Sequence, residues 1–94
     1  MQNVRKTRVT RKRPGVVHVQ VYFTKSYQSP ADFEGDRTMP NDGVDLTDEE
    51  IRSDGLFDLR HNEDKRRAAL AGMEKLEELR GYTFSRTFWG DQYR

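Results

Sequence analysis

The chain has no cysteine among its 94 residues. Disulfide staples, thiolate zinc sites and cysteine nucleophiles are excluded together, and with them the small disulfide-framed secreted domain; a reducing, cytoplasmic setting is expected. Large apolar side chains are also scarce, since Val, Ile, Leu and Phe account for only 19 of 94 residues. Chains this poor in core-forming residues stay unfolded when their net charge is high. Here 17 basic and 16 acidic residues nearly cancel to +1, so a folded domain with a thin core is expected. The length allows one such core and not two.

Long hydrophobic runs are missing as well. The longest apolar stretch, Val16 to Phe23, is interrupted by His18 and Gln20, which leaves neither a transmembrane helix nor the apolar part of a signal peptide. No membrane partner is expected. The first 31 residues contain no acid, as in a mitochondrial transit peptide, but serine is scarce there and Pro14-Gly15 breaks the amphipathic helix such a peptide needs.

Catalytic signatures are equally absent: there is no phosphate-binding Gly-Lys-Ser/Thr loop, no Gly-x-Gly-x-x-Gly turn, no Gly-x-Ser-x-Gly elbow and no kinase motif. The two histidines, His18 and His61, have no His-Glu-x-x-His relation, and setting Gly43 at the glycine of a calcium loop puts Thr38 and Pro40 where oxygen ligands are required. Asp58 with Glu63-Asp64-Lys65 has the look of an acid-x-Lys nuclease pattern, but it falls at a predicted helix N-terminus, where acids are expected for electrostatic reasons. The expectation is a protein that is not an enzyme and carries no cofactor or metal.

What the sequence does have is charge sorted by position. Residues 1–26 hold Arg5, Lys6, Arg8, Arg11, Lys12, Arg13 and Lys25 and no acid, a local charge of +7. Residues 27–58 hold ten acids against Arg37 and Arg52, a local charge of −8, and the remainder is near balance at +2. Such asymmetry bears on partners rather than on fold.

The alternation of Val17, Val19, Val21 and Phe23 with His18, Gln20 and Tyr22 marks a half-buried strand. Before it, residues 1–13 read as a basic arm or edge strand, because β-branched Thr7, Val9 and Thr10 disfavour helix and no clean apolar face emerges on simple alternation. Pro14-Gly15 is a turn, though an L-Pro-Gly pair suits turn types that splay a tight hairpin. After Pro30 the chain turns rich in Pro, Gly, Asn and Asp through Gly43, which reads as a long loop anchored by Phe33, within an acidic loop region 30–58.

Leu46-Thr47-Asp48-Glu49-Glu50-Ile51 is a complete capping box with a hydrophobic staple, predicting a short helix stopped by Gly55. Leu56-Phe57-Asp58-Leu59 then reads as an apolar plug. A long helix from about Glu63 to Arg80 follows, capped by Asn62, ended by Gly81 and buried through Leu70, Met73, Leu76 and Leu79 with Ala69. Tyr82 to Trp89 alternates aromatic and polar residues as a further strand, with Tyr82, Phe84 and Phe88 toward the helix. The fold class expected is α+β: one long helix on a small, mostly antiparallel sheet of two to three strands, with a short capped helix and a long acidic loop, residues 14–94 forming the single domain.

Function is read from the charges. Arg5, Lys6, Arg8, Arg11, Lys12, Arg13 and Lys25 suit the phosphate backbone of DNA or RNA, with arginine offering bidentate contacts to phosphate oxygens. Tyr22, Phe23, Tyr27, Tyr82, Phe84, Phe88 and Trp89 supply stacking surfaces wherever they face outward. The expectation is a non-enzymatic accessory protein that contacts nucleic acid through its basic arm. The alternative is a protein-binding subunit or inhibitor that docks Asp42, Asp45, Asp48, Glu49 and Glu50 on the basic surface of a larger nucleic-acid-handling machine. Small size, missing catalytic residues and segregated charge also suit an accessory protein of a phage or mobile element.

Overall fold

The computed structural model describes residues 2–23, 40–54 and 56–85. In chain order the elements are β1 (Gln2–Arg13), β2 (Val16–Phe23), β3 (Asn41–Thr47), α1 (Asp48–Ile51), α2 (Asn62–Arg80) and β4 (Phe84–Ser85). The sheet order is β3-β2-β1-β4, with β1–β2 and β2–β3 antiparallel and β4 parallel to the start of β1. The class is α+β as expected, but the sheet has four strands rather than two to three, and it is mixed.

The basic arm is a strand within this sheet. Strict alternation gives it no apolar face because the face changes partway along: the register runs Val4↔Phe23 and then Lys6↔Tyr22, so Arg5 is an extra residue. This bulge lets Val4 and Thr7, three apart in sequence, both turn inward and become buried, with Val9 partly buried beyond them. A second irregularity places Lys12 as an extra residue between Arg11↔Val17 and Arg13↔Val16, next to the Pro14-Gly15 turn. Gly15 adopts φ +81°, the left-handed backbone that the third position of a type II turn requires, and the bulge beside it absorbs the splay such a turn imposes.

The long loop expected through Gly43 is corrected over its last part, since Asn41–Thr47 forms β3 along the whole of β2. Poor strand formers are tolerated at this edge because backbone pairing with β2 and the alternation of Asp42, Val44 and Leu46 inward outweigh weak propensity. Asn, Asp and Gly on an edge strand also discourage pairing with other chains. Phe33 and Gly55 lie outside the described residues.

The capping box forms as read: the Glu50 amide donates to Thr47 Oγ1, and the Thr47 amide donates to the Glu50 carboxylate. Leu46 and Ile51 beside it are buried. The long helix is shifted from the expected frame. Its N-cap is His61 rather than Asn62, and no side chain caps it there. Its buried residues are Asp64, Ala68, Ala69, Gly72, Met73 and Leu76, among them the expected Ala69, Met73 and Leu76, whereas Leu70 is only partly buried and Leu79 is 56% exposed. The inward stripe follows the small residues because the helix lies close on β2: a Cβ at Gly72 would fall 2.5 Å from Val19 Cγ1. Gly81, at φ +76°, ends the helix as expected, its amide donating to the Glu77 carbonyl.

The Glu77 side chain then accepts from the Phe84 amide, and Phe84 enters β4. Only Phe84–Ser85 of the expected strand from Tyr82 to Trp89 is strand among the described residues. Phe23, Tyr82 and Phe84 form a three-ring cluster with centroids 5.1 to 5.3 Å apart. The plug at 56–59 is less apolar in effect than expected, with Leu56 71% exposed and Phe57 only partly buried.

Two substitutions test this packing. Leu76 is fully buried, so Leu76→Ala is expected to cost about 2–5 kcal/mol in urea unfolding. Gly72→Ala normally helps a helix by up to about 1 kcal/mol, but here the clash with Val19 is expected to outweigh that gain and lower stability by about 1–3 kcal/mol. A stabilised Gly72→Ala protein would show that the helix does not sit this close to the sheet.

Candidate nucleic-acid interface

Cross-strand partners in an antiparallel ladder share a face. Because Val17, Val19 and Val21 are buried under α2, their partners Thr7, Val9 and Arg11 on β1, and Asp42, Val44 and Leu46 on β3, lie on the helix side. The other face therefore carries Lys6, Arg8 and Thr10 from β1, Val16, His18, Gln20 and Tyr22 from β2, and Asn41, Gly43 and Asp45 from β3, with Arg13 opposite Val16 beside the turn. Among the described residues no helix or strand covers this face.

The basic residues read from the sequence divide accordingly. Lys6 lies over the Tyr22 ring, 4.6 Å from its centroid. Arg8 and Arg13 are exposed and have no ion-pair partner among the described residues. Lys12 reaches across to Asp45, 2.5 Å away. Arg11 belongs to the opposite side, where its guanidinium sits 2.6 Å from Asp48 and over the Phe57 ring. Arg5 occupies the bulge and is exposed. Lys25 lies outside the described residues, as do Tyr27, Phe88 and Trp89. Of the aromatic residues named for stacking, Tyr22 is on the open face, while Phe23 and Phe84 are core.

The acidic residues are mostly engaged within the fold. Asp42 accepts from Arg80 Nε at 3.0 Å and from the Tyr82 hydroxyl at 3.2 Å, and burial together with this carboxylate raises the Tyr82 pKa. Asp45 is held by Lys12 and His18, whose hydrogen bonds keep its carboxyl below the ordinary range. Asp48 pairs with Arg11, and Glu50 with Thr47 and Lys75. Glu49 is exposed and has no partner among the described residues.

The acid-x-Lys segment is structural too. Asp64, 2% exposed, accepts from the Arg52 guanidinium at 2.9 Å and from the Asp58 amide at 3.0 Å, so it ties the segment after α1 to the first turn of α2. Asp58 pairs with Arg60, which holds its carboxyl well below the usual value. Among the described residues, no group of three or more His, Asp or Glu side chains is placed to hold a metal ion. No helix among them is long and apolar enough to cross a membrane.

Sequence reasoning did not place His18 and Gln20 in the site. Together with Arg8, Thr10 and Tyr22 they line a shallow depression of about 240 Å³ on the open face. His18 Nδ1 lies 2.8 Å from Asp45 Oδ1, and its Nε2 lies 2.8 Å from Gln20 Oε1. The Gln20 amide nitrogen donates to Asn41 Oδ1. The polar alternation of His18, Gln20 and Tyr22 was the available signal, but it marks a wet face without saying whether anything lies on it.

Compared with protein-family models, with curated proteins and with solved structures, the chain matches none.

Carboxylates held below their ordinary value stabilise the fold above about pH 4, and that contribution is lost as the pH falls through the folded value. Asp45, Glu50, Asp54 and Asp58 are all of this kind. Thermal stability is expected to fall between pH 5 and pH 2.5, and to fall less in Asp45→Asn, which has no charge there to lose. An equal drop in both proteins would show that the bonds from Lys12 and His18 to Asp45 do not contribute.

Proposed function

We propose that this protein is a non-enzymatic accessory factor that contacts the phosphate backbone of DNA or RNA with the open face of its sheet. The observation that supports this reading is the row Lys6, Arg8 and Arg13 on the outward side of β1, where none of the three has a carboxylate partner in the described fold. Lys6 and Arg8, two apart on the strand, are separated by about 7 Å, and Arg13 lies about 16 Å further along the same strand beyond the second bulge, so the three charges are spread along an extended backbone. Arginine adds paired donors suited to phosphate oxygens, and Tyr22 adds a ring on which a base can stack once Lys6 swings aside.

The competing use of the acidic residues as a docking patch has less behind it. Asp42, Asp45, Asp48 and Glu50 already neutralise bases of the same chain, and exchanging those partners for a foreign basic surface gains only the difference between two ion pairs.

Because β1 belongs to the sheet, removing residues 1–13 would remove a strand and not a tail. Neutralisation in place is the cleaner test. In fluorescence-anisotropy titrations with single-stranded oligonucleotides from about 50 to 300 mM salt, Lys6→Gln/Arg8→Gln/Arg13→Gln is expected to weaken binding and to reduce the logarithmic salt slope by roughly two to three units. Arg60→Gln, which changes a base preceding α2, is expected to leave the slope as it was. Equal slopes for the triple variant and the wild type, with the circular dichroism unchanged, would overturn the reading.

A further inference from the structure

His18 is placed between two oxygens that can only accept. Asp45 Oδ1 faces one ring nitrogen and Gln20 Oε1 the other, each at 2.8 Å. The Gln20 amide nitrogen is turned toward Asn41 Oδ1, to which it donates. A neutral imidazole has one N–H and can serve one of these oxygens, leaving the other opposite a lone pair. Only the doubly protonated ring donates to both. Turning the Gln20 amide over, with the Asn41 amide turned to follow it, would serve the neutral ring instead, so the amide orientations seen here are the ones that go with the imidazolium.

Gly43 makes the arrangement possible. A Cβ there would fall 2.2 Å from Gln20 Oε1 and 2.7 Å from His18 Nε2, so both side chains lie across a strand position that has to be bare. The charged groups around the ring are Asp45 from β3, Lys12 from β1 through the same carboxylate, and Arg8 from β1, which lines the same depression. Tyr22, the remaining titratable group there, comes from β2. Lys12 and Asp45 cancel each other, so protonating His18 adds one uncompensated positive charge beside Arg8.

We propose that the depression lined by Arg8, Thr10, His18, Gln20 and Tyr22 is a proton-dependent phosphate subsite, in which Arg8 donates to a backbone phosphate and protonated His18 supplies a second, fixed charge. The proposal rests on the nucleic-acid reading of the same face and adds to it a regulation. Histidine is the side chain most often used to change charge near neutral pH, so occupancy of the subsite is expected to rise on acidification. Internucleotide phosphates stay singly charged throughout, which assigns any change to the protein.

The test is the ratio of dissociation constants at pH 8.0 and pH 5.5, at constant ionic strength, for the full chain and an oligonucleotide lacking terminal phosphates. One added charge near a phosphate is expected to tighten binding roughly fivefold to tenfold at the lower pH. His61→Gln is expected to keep that ratio, and His18→Gln to bring it close to one. Nitrogen-15 spectra of the His18 ring give an independent measure that needs no variant, and both ring nitrogens are expected to be protonated at pH 5.5. A flat ratio in the wild type, an undiminished ratio in His18→Gln, or a singly protonated His18 ring at pH 5.5 overturns the subsite while binding at pH 8.0 leaves the wider reading standing. No binding at either pH overturns both.

Discussion

A chain with so few large aliphatic residues can cover its sheet only by bringing the helix very near. The contact between Gly72 and Val19 is where this happens, and the small residues Ala68 and Ala69 sit on the same buried stripe. Close approach replaces bulk: dispersion and burial accumulate from many short contacts rather than from a few large side chains. Met73 and Leu76 then fill the space along the valines of β2, and the ring cluster of Phe23, Tyr82 and Phe84 closes one end. With α2 the one long helix among the described residues, their apolar side chains are spent on one side of the sheet.

The same topology disposes of the charge asymmetry. A strongly basic segment and a strongly acidic one, far apart in sequence, become β1 and β3 on either side of β2, so Lys12 meets Asp45 across the middle strand while Arg11 meets Asp48 beyond the turn. Exposed pairs of this sort are worth little to stability individually. Their consequence is selective: among the described residues they engage Arg11 and Lys12 and leave Lys6, Arg8 and Arg13 without a carboxylate partner. The helix side absorbs Asp42 and Asp48, and Asp45 is the acid of β3 that reaches the open face.

Much of the fold was legible because its strongest signals are local. The capping box at Thr47, the valine alternation of β2 and the glycine that ends α2 each depend on a few adjacent residues, and each formed as read. What was not legible depends on distant contacts. Val4 joins the inward face of β1 only because a bulge at Arg5 changes the phase, and β3 is a strand because β2 offers a ladder to residues that would otherwise make a loop. The helix stripe holds at Ala69, Met73 and Leu76 but was extended to Leu70 and Leu79 because large side chains are the usual markers of a buried face, whereas here the sheet also selects Ala68 and Gly72. Of the site, the charges of β1 were visible in the sequence, but their division between two faces was not, and the His18 network needs three strands to be seen at all.

That division also explains why a net charge of +1 says so little about this molecule. Charges more than about 8 Å apart in solution are largely screened at physiological salt, and the two faces of a sheet with their side chains are separated by about that much. A charge placed on the open face would therefore respond mainly to Lys6, Arg8, Arg13 and the cluster around Asp45, and hardly to the carboxylates on the helix side. Within that cluster the balance is close: one lysine, one carboxylate and one histidine. A near-neutral chain in this way gathers Lys6, Arg8 and Arg13 on one face while Asp42 and Asp48 are paired on the other.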